Sequence, residues 1–131
     1  MYTITEDEIP NARDGIALYL DAGWGTAADY IGAEQVFETA YRNSHFVTAK
    51  DGQHLVGMIR YLTDGAHDTQ IVECVVLSSY RNQGIAKAML DKLKELYPTT
   101  DIYIQSTEKC RDFFLHEGFK KHSLIGLSYS K

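Results

Sequence analysis

Apolar positions change their period several times along this chain, and each change marks an element. Tyr2 to Thr5 alternates and predicts a short first strand. The acidic run Glu6-Asp7-Glu8 then opens a helix expected to reach about Leu20, with Ile16, Ala17 and Leu20 on its apolar face. Gly23-Trp24-Gly25-Thr26 breaks that pattern, and a second helix is expected from about Ala28 to Arg42, lined by Tyr30, Val36, Phe37, Ala40 and Tyr41. Ser44 to Lys50 and His54 to Thr63 read as strands on either side of an Asp51-Gly52 hairpin turn. Asp64-Gly65-Ala66-His67-Asp68 forms the next turn. It leads into Ile71 to Leu77, a β-branched apolar run that reads as a buried strand ended by Ser78-Ser79. Ile85, Met89, Leu93 and Leu96 recur at helical spacing, widened by Leu90 and Tyr97, until Pro98 stops the helix. Asp101 to Gln105 is then strand, Thr107 to His116 helix closed by Gly118, and Phe119 to Ser130 is expected to hold two short strands.

This order predicts one α/β (α+β) domain over residues 1–131, with a mixed, mostly antiparallel sheet of about six to seven strands flanked by about four helices. Neither repeat nor linker interrupts it.

The sequence of 131 residues is 44% hydrophobic and 24% charged, and no apolar run nears the roughly 20 residues that span a bilayer. Met1 to Glu6 lacks the basic start and apolar core of a signal peptide, and Cys74 and Cys110 are too few and too far apart for a disulfide framework or metal spacing. The expected location is the cytoplasm, with no membrane partner and no metal. A net charge of −5 with scattered basic residues argues against nucleic acid and suits a cationic partner.

Candidate chemistry concentrates at Tyr80 to Met89, where a turn meets the start of a helix. Gly84 allows close backbone approach, the amides from Asn82 to Ala86 lack intrahelical acceptors, and Arg81 adds a fork of donors, so a pyrophosphate fits. Taken alone, the turn is equally an ordinary strand-to-helix connection. A nucleotide P-loop is excluded because no Lys-Ser/Thr follows the loop glycine. Glu73 is the candidate base, a carboxylate interrupting an apolar strand, whose side chain shares a face with Val75. Its bland alternative is a surface carboxylate, or one paired with Arg60 or His54. Trp24 and Tyr30 are candidate walls of an acceptor pocket, beside acids that would suit an ammonium group, although aromatics at helical spacing also read as core.

The run R-x-x-G-x-A at Arg81 to Ala86, following V-V-L, resembles the pyrophosphate loop of the GNAT superfamily of acyl-CoA-dependent N-acyltransferases, [RQ]-x-x-G-x-[GA]. Phe113 to Phe119 looks like the family's F-Y-x-x-x-G-F helix end, and Gly23-Trp24-Gly25 is similar to small bacterial members. The resemblance implies that the strands ending at Leu77 and beginning at Asp101 splay apart. The backbone of Val75, Val76 and Leu77 would then hold the acetyl and pantetheine groups of acetyl-CoA, and Arg81, Asn82, Gln83, Gly84, Ile85 and Ala86 its pyrophosphate. Thr107 or Ser106 stands where an asparagine often contacts the pantetheine arm, and Phe114 where many relatives carry a proton-donating tyrosine. The implied reaction is transfer of an acetyl group to a primary amine of a small molecule. Protein or peptide acetylation and a non-catalytic coenzyme A-binding regulator remain as alternatives, and a homodimer is left open.

Overall fold

The computed structural model describes residues 1–130. Its elements in chain order are β1 (Thr3–Glu6), α1 (Ala12–Asp21), α2 (Glu34–Arg42), β2 (His45–Asp51), β3 (His54–Thr63), β4 (Asp68–Val76), α3 (Ile85–Leu96), β5 (Asp101–Ile104) and α4 (Glu108–His116). Single 3-10 turns occupy Ala27–Tyr30 and Ser78–Tyr80. The strands form one sheet in the order β1-β2-β3-β4-β5, antiparallel except for the parallel β4–β5 pair.

The sheet separates two cores. On one face α1 and α2 cover Phe46, Met58 and Val75; on the other α3 and α4 cover Val47, Ile59, Tyr61 and Ile71. Helix α3 lies so close to β3 that a Cβ on Gly57 would meet Ile85 at 3.2 Å and Met89 at 3.3 Å.

Helix α1 starts at Ala12 rather than at the acidic run, because the Asn11 side chain caps it by accepting from the Arg13 N–H at 2.8 Å. Its buried face is Ala12, Gly15, Ile16 and Tyr19, joined by Leu18, so of the expected stripe only Ile16 points inward; Ala17 and Leu20 are exposed. Gly32, at φ +76, divides the expected second helix into a 3-10 turn and α2, and Val36 is exposed.

The sheet has five strands among the described residues, not six to seven. Phe119 to Ser130 forms none, although its alternation is strand-like. A strand is stable only when its backbone groups pair, and no backbone hydrogen bond joins this segment to the free edge of β5. Leu124, Ile125, Leu127 and Tyr129 are exposed as a result.

A bulge in β4 sets where Glu73 points. Arg60 faces Glu73 and Tyr61 faces Ile71, so Val72 has no partner on β3. Residues two apart in a strand normally share a face, but the extra residue turns Ile71 toward α3 and Glu73 toward α1 and α2.

Candidate active site

The parallel pairing of β4 and β5 ends at Ile71 and Ile104, whereas β4 runs on to Val76. The two strands therefore part, leaving an open edge on β4. Leu77 N–H donates to the Val56 carbonyl at 2.8 Å. By the alternation of an antiparallel ladder, Val75 and Leu77 use their backbone groups on β3, while those of Cys74 and Val76 point into the gap. The Val76 carbonyl accepts from Arg81 Nε at 3.3 Å, which leaves the Val76 N–H facing the opening.

Helix α3 begins at the mouth of this gap. Asn82 at φ +64 and Gly84 at φ +79 curl the chain into a left-handed turn, and no side chain caps the helix. Its first amides are free for an anion, at the positive end of the dipole. A Cβ on Gly84 would meet nothing within 4 Å, so open space lies above the turn. The loop is tied down from below: Asp21 at the end of α1 accepts from the Ser78 N–H and hydroxyl, both at 2.7 Å. Those two bonds hold the Asp21 carboxyl below its ordinary range.

One cavity of about 510 Å³ joins these features. It brings together Val75, Val76, Arg81, Asn82 and Gly84 with Ile85 and Ala86, and Thr107 and Phe114 close its far side. Leu77 and Gln83 do not line it. Trp24 forms part of its wall, while Tyr30 stands behind Trp24 and donates its hydroxyl to the Trp24 carbonyl. Phe114 is core as much as wall, with ring centroids 5.0 Å from Phe113 and 5.3 Å from Phe119. Cys74 and Cys110 also line the cavity as free thiols, and burial pushes the Cys74 thiol up to about 12, so it remains protonated and inert.

On the opposite face Glu73 is the centre of a partly buried polar network. Arg60 grips it with Nη2 at 2.8 Å from Oε1 and Nε at 3.1 Å and 3.2 Å from the two oxygens. Tyr19 donates its hydroxyl to Oε2 at 2.5 Å and meets the Tyr41 hydroxyl at 2.5 Å. Arg60 Nη1 donates to Ser44 Oγ at 3.0 Å, and Ser44 donates onward to the Ala40 carbonyl at 2.7 Å. Of the two basic partners considered from sequence, Arg60 is the one that pairs; His54 packs instead against Tyr80. Burial and the neighbouring carboxylate raise the Tyr19 phenol well above its ordinary value, and Tyr41 is pushed up to about 12, chiefly by burial. Both therefore stay protonated donors at neutral pH.

Tyr19, Trp24, Tyr30 and Phe37 stack around this network, with centroids 5.5 to 6.2 Å apart. Sequence reading missed Tyr19, although Ala12, Gly15, Ile16 and Tyr19 carry the spacing of one helix face. Gly15 is there for a steric reason. A Cβ at that position would lie 2.0 Å from the Tyr41 hydroxyl.

The sequence matches the family model described as the acetyltransferase (GNAT) family over residues 9–119. Two solved structures resemble the chain along its whole length. One is a GNAT family acetyltransferase from Streptococcus pneumoniae TIGR4, 26% identical, with a TM-score of 0.81 and coverage of 100% of this chain and 98% of that one. The other is a protein from meticillin-resistant Staphylococcus aureus, 25% identical, with a TM-score of 0.83 and coverage of 100% and 99%. A ribosomal-protein-S18-alanine N-acetyltransferase from Escherichia coli shares the fold at 14% identity and a TM-score of 0.73, with coverage of 94% and 80%. A search of curated protein sequences returned no match. With a parted strand pair running into an uncapped helix start, and with the family's pattern extending through most of its length, the chain belongs to the GNAT acetyltransferases.

Proposed function

We propose that this protein transfers the acetyl group of acetyl-CoA to a primary amine of a small molecule. The observation that carries this reading is the single cavity that joins the free edge of β4 to the uncapped start of α3. Such a space suits a ligand with an amide-rich arm at one end and a pyrophosphate at the other. Val76 offers its N–H to the carbonyl to be polarised; Arg81 and the amides of Gly84 to Ala86 hold the anionic end; Thr107 and Phe114 flank the arm. Acetyl-CoA supplies the activated thioester when bound.

The acceptor approaches from the α1 and α2 side, past Trp24. Glu73 takes the amine proton, directly or through water. Its oxygens already receive three contacts from Arg60 and one from Tyr19, so the proton arrives by exchange with the longest of these, Arg60 Nε at 3.2 Å from Oε2. Thiol release in the presence of a panel of small primary amines tests the reading. Acetyl-CoA-dependent release with at least one amine is expected, and silence across the panel despite tight acetyl-CoA binding would overturn it. One observation favours a second reading, a coenzyme A-binding regulator without turnover: Phe114 has no proton to give a departing thiolate. The same assay separates the two.

A further inference from the structure

The end of α1 carries a carboxylate where a helix is least suited to hold one. Asp21 is the last residue of α1, no basic residue stands in its last turn, and the negative end of the helix dipole disfavours an anion there. The stability of the helix alone therefore does not explain the residue. Its partner lies 57 positions on: both carboxylate oxygens are taken by Ser78, Oδ2 by the N–H and Oδ1 by the hydroxyl, each at 2.7 Å.

Ser78 opens the 3-10 turn Ser78–Tyr80 that links β4 to Arg81 and the uncapped start of α3. A second carboxylate holds the other end of this turn, because Tyr80 donates its hydroxyl to Asp51 at 2.6 Å. The turn is thus held from two parts of the fold, and the two ties differ in what else they reach. Asp51, at the end of β2, takes no part in the hydrogen bonds around Glu73. Asp21 follows Tyr19 by two residues in the closing turn of α1, where the Ala22 N–H bonds to the Leu18 carbonyl at 3.0 Å and the Trp24 N–H to the Tyr19 carbonyl at 2.9 Å. Tyr19 is 2% exposed and donates to Glu73 at 2.5 Å. A ring packed this closely moves with its helix turn, so a shift at Asp21 reaches the Glu73 carboxylate.

We infer that Asp21 is a positioning residue through which acetyl-CoA binding orders the end of α1 and, with it, Tyr19 against Glu73. It fixes the turn that presents Arg81 to the anionic end of acetyl-CoA, and it carries the order gained there to the acceptor side. The inference rests on the acyl-transfer reading above.

Calorimetric titration with acetyl-CoA and hydrogen exchange, with and without acetyl-CoA, on the parent, Asp21→Ala, Asp21→Asn and Asp51→Ala test it. Asp21 is exposed, so replacing it leaves the protein folded. In the parent, acetyl-CoA should slow exchange at residues 18–21 as well as at 78–86. Asp21→Ala should speed exchange at 78–84 in the free protein, weaken acetyl-CoA about tenfold, and abolish the slowing at 18–21 even when saturated. Asp21→Asn should restore affinity to within about twofold and restore the slowing, because its Oδ1 accepts from the Ser78 N–H and its Nδ2 donates to Ser78 Oγ. Asp51→Ala should weaken acetyl-CoA yet keep the slowing at 18–21. Slowing at 18–21 that survives in Asp21→Ala, or that is lost equally in Asp51→Ala, overturns the inference. An Asp21→Asn variant that behaves like Asp21→Ala also overturns it, since charge and not position would then be at work. A parent that binds no acetyl-CoA overturns the acyl-transfer reading and this inference together, whereas the other failures leave that reading intact.

Discussion

The two faces of the sheet solve different problems with different parts of the chain. Toward α3, the candidate site is main chain: the open edge of β4 at Val76 and the uncapped start of α3, with side chains free to pack into the core. Toward α1 and α2, the candidate is a side-chain network: Tyr19, Tyr41, Ser44, Arg60 and Glu73, drawn from α1, α2, β3, β4 and a connecting residue, satisfy one another with no buried side-chain polar atom left unpaired among the described residues. A main-chain site depends on backbone angles, so it is sensitive at glycine and tolerant elsewhere. A side-chain network fails when any member is lost, because the partner left behind stays buried and unsatisfied.

The largest effect should come from breaking the first site at its tightest point. Gly84→Val forces a β-branched residue to φ +79 and fills the open space above the turn. Acetyl-CoA affinity should fall by at least about 100-fold, and the rise in melting temperature on adding acetyl-CoA should vanish, while the circular dichroism of the free protein persists. Arg81→Ala should weaken binding about tenfold or less, since the arginine is only one donor among several. An unchanged thermal shift in Gly84→Val would remove the phosphate assignment.

Next in size is the second site. Glu73→Gln keeps the shape of the side chain but loses its charge, so kcat should drop by about 10² to 10⁴ with acetyl-CoA affinity unchanged. The loss should shrink as pH rises and the amine loses its proton unaided. Steady-state kinetics from pH 6 to 9 check this, and equal turnover throughout would leave solvent as the base. Together these variants sharpen the contrast between the faces: one abolishes binding and the other only chemistry.

That contrast also explains what could be read from the sequence. The α3 site is local, so Arg81 to Ala86 and the strand before it reveal themselves in about ten consecutive residues, and β3 was legible to its exact bounds, His54–Thr63. The network around Glu73 is distributed over 55 positions, from Tyr19 to Glu73, and a phenol buried by tertiary packing looks in sequence like any amphipathic tyrosine. The bulge at Val72 left no mark either, since one unpaired residue does not disturb an apolar run. The strands expected after Phe119 had the right alternation. Pairing, which no pattern within a single segment encodes, is what they lack.

A moderate effect is expected at Gly15, which has no chemistry of its own. In Gly15→Ala the new Cβ collides with the Tyr41 hydroxyl and pushes it from Tyr19. Overpacking should cost about 1–3 kcal/mol of stability by urea denaturation. Turnover should fall with it, whereas acetyl-CoA affinity stays, because the opposite face is untouched. A variant as stable and active as the parent would show that Tyr41 can move without consequence.

The smallest effect lies at high pH, where the two faces should behave alike. Tyr41 titrates near 10 when unfolded and at about 12 when folded, so the native state holds its proton more tightly. The stability this supplies is complete below pH 10 and is lost as pH rises toward 12, with a slope of about 1.4 kcal/mol per pH unit for the one group. Tyr61, under α3 and bonded to Tyr97 at 3.1 Å, is also raised by burial and acts in the same direction. Tyr41→Phe and Tyr61→Phe should therefore each flatten the alkaline fall in urea-unfolding free energy. At pH 7.5 they should part company: Tyr41→Phe frees Tyr19 to shift from Glu73 and lowers kcat several-fold, while Tyr61→Phe leaves kcat alone. Equal kcat in both variants would mean that the hydroxyl chain behind Glu73 supports the fold and not the reaction.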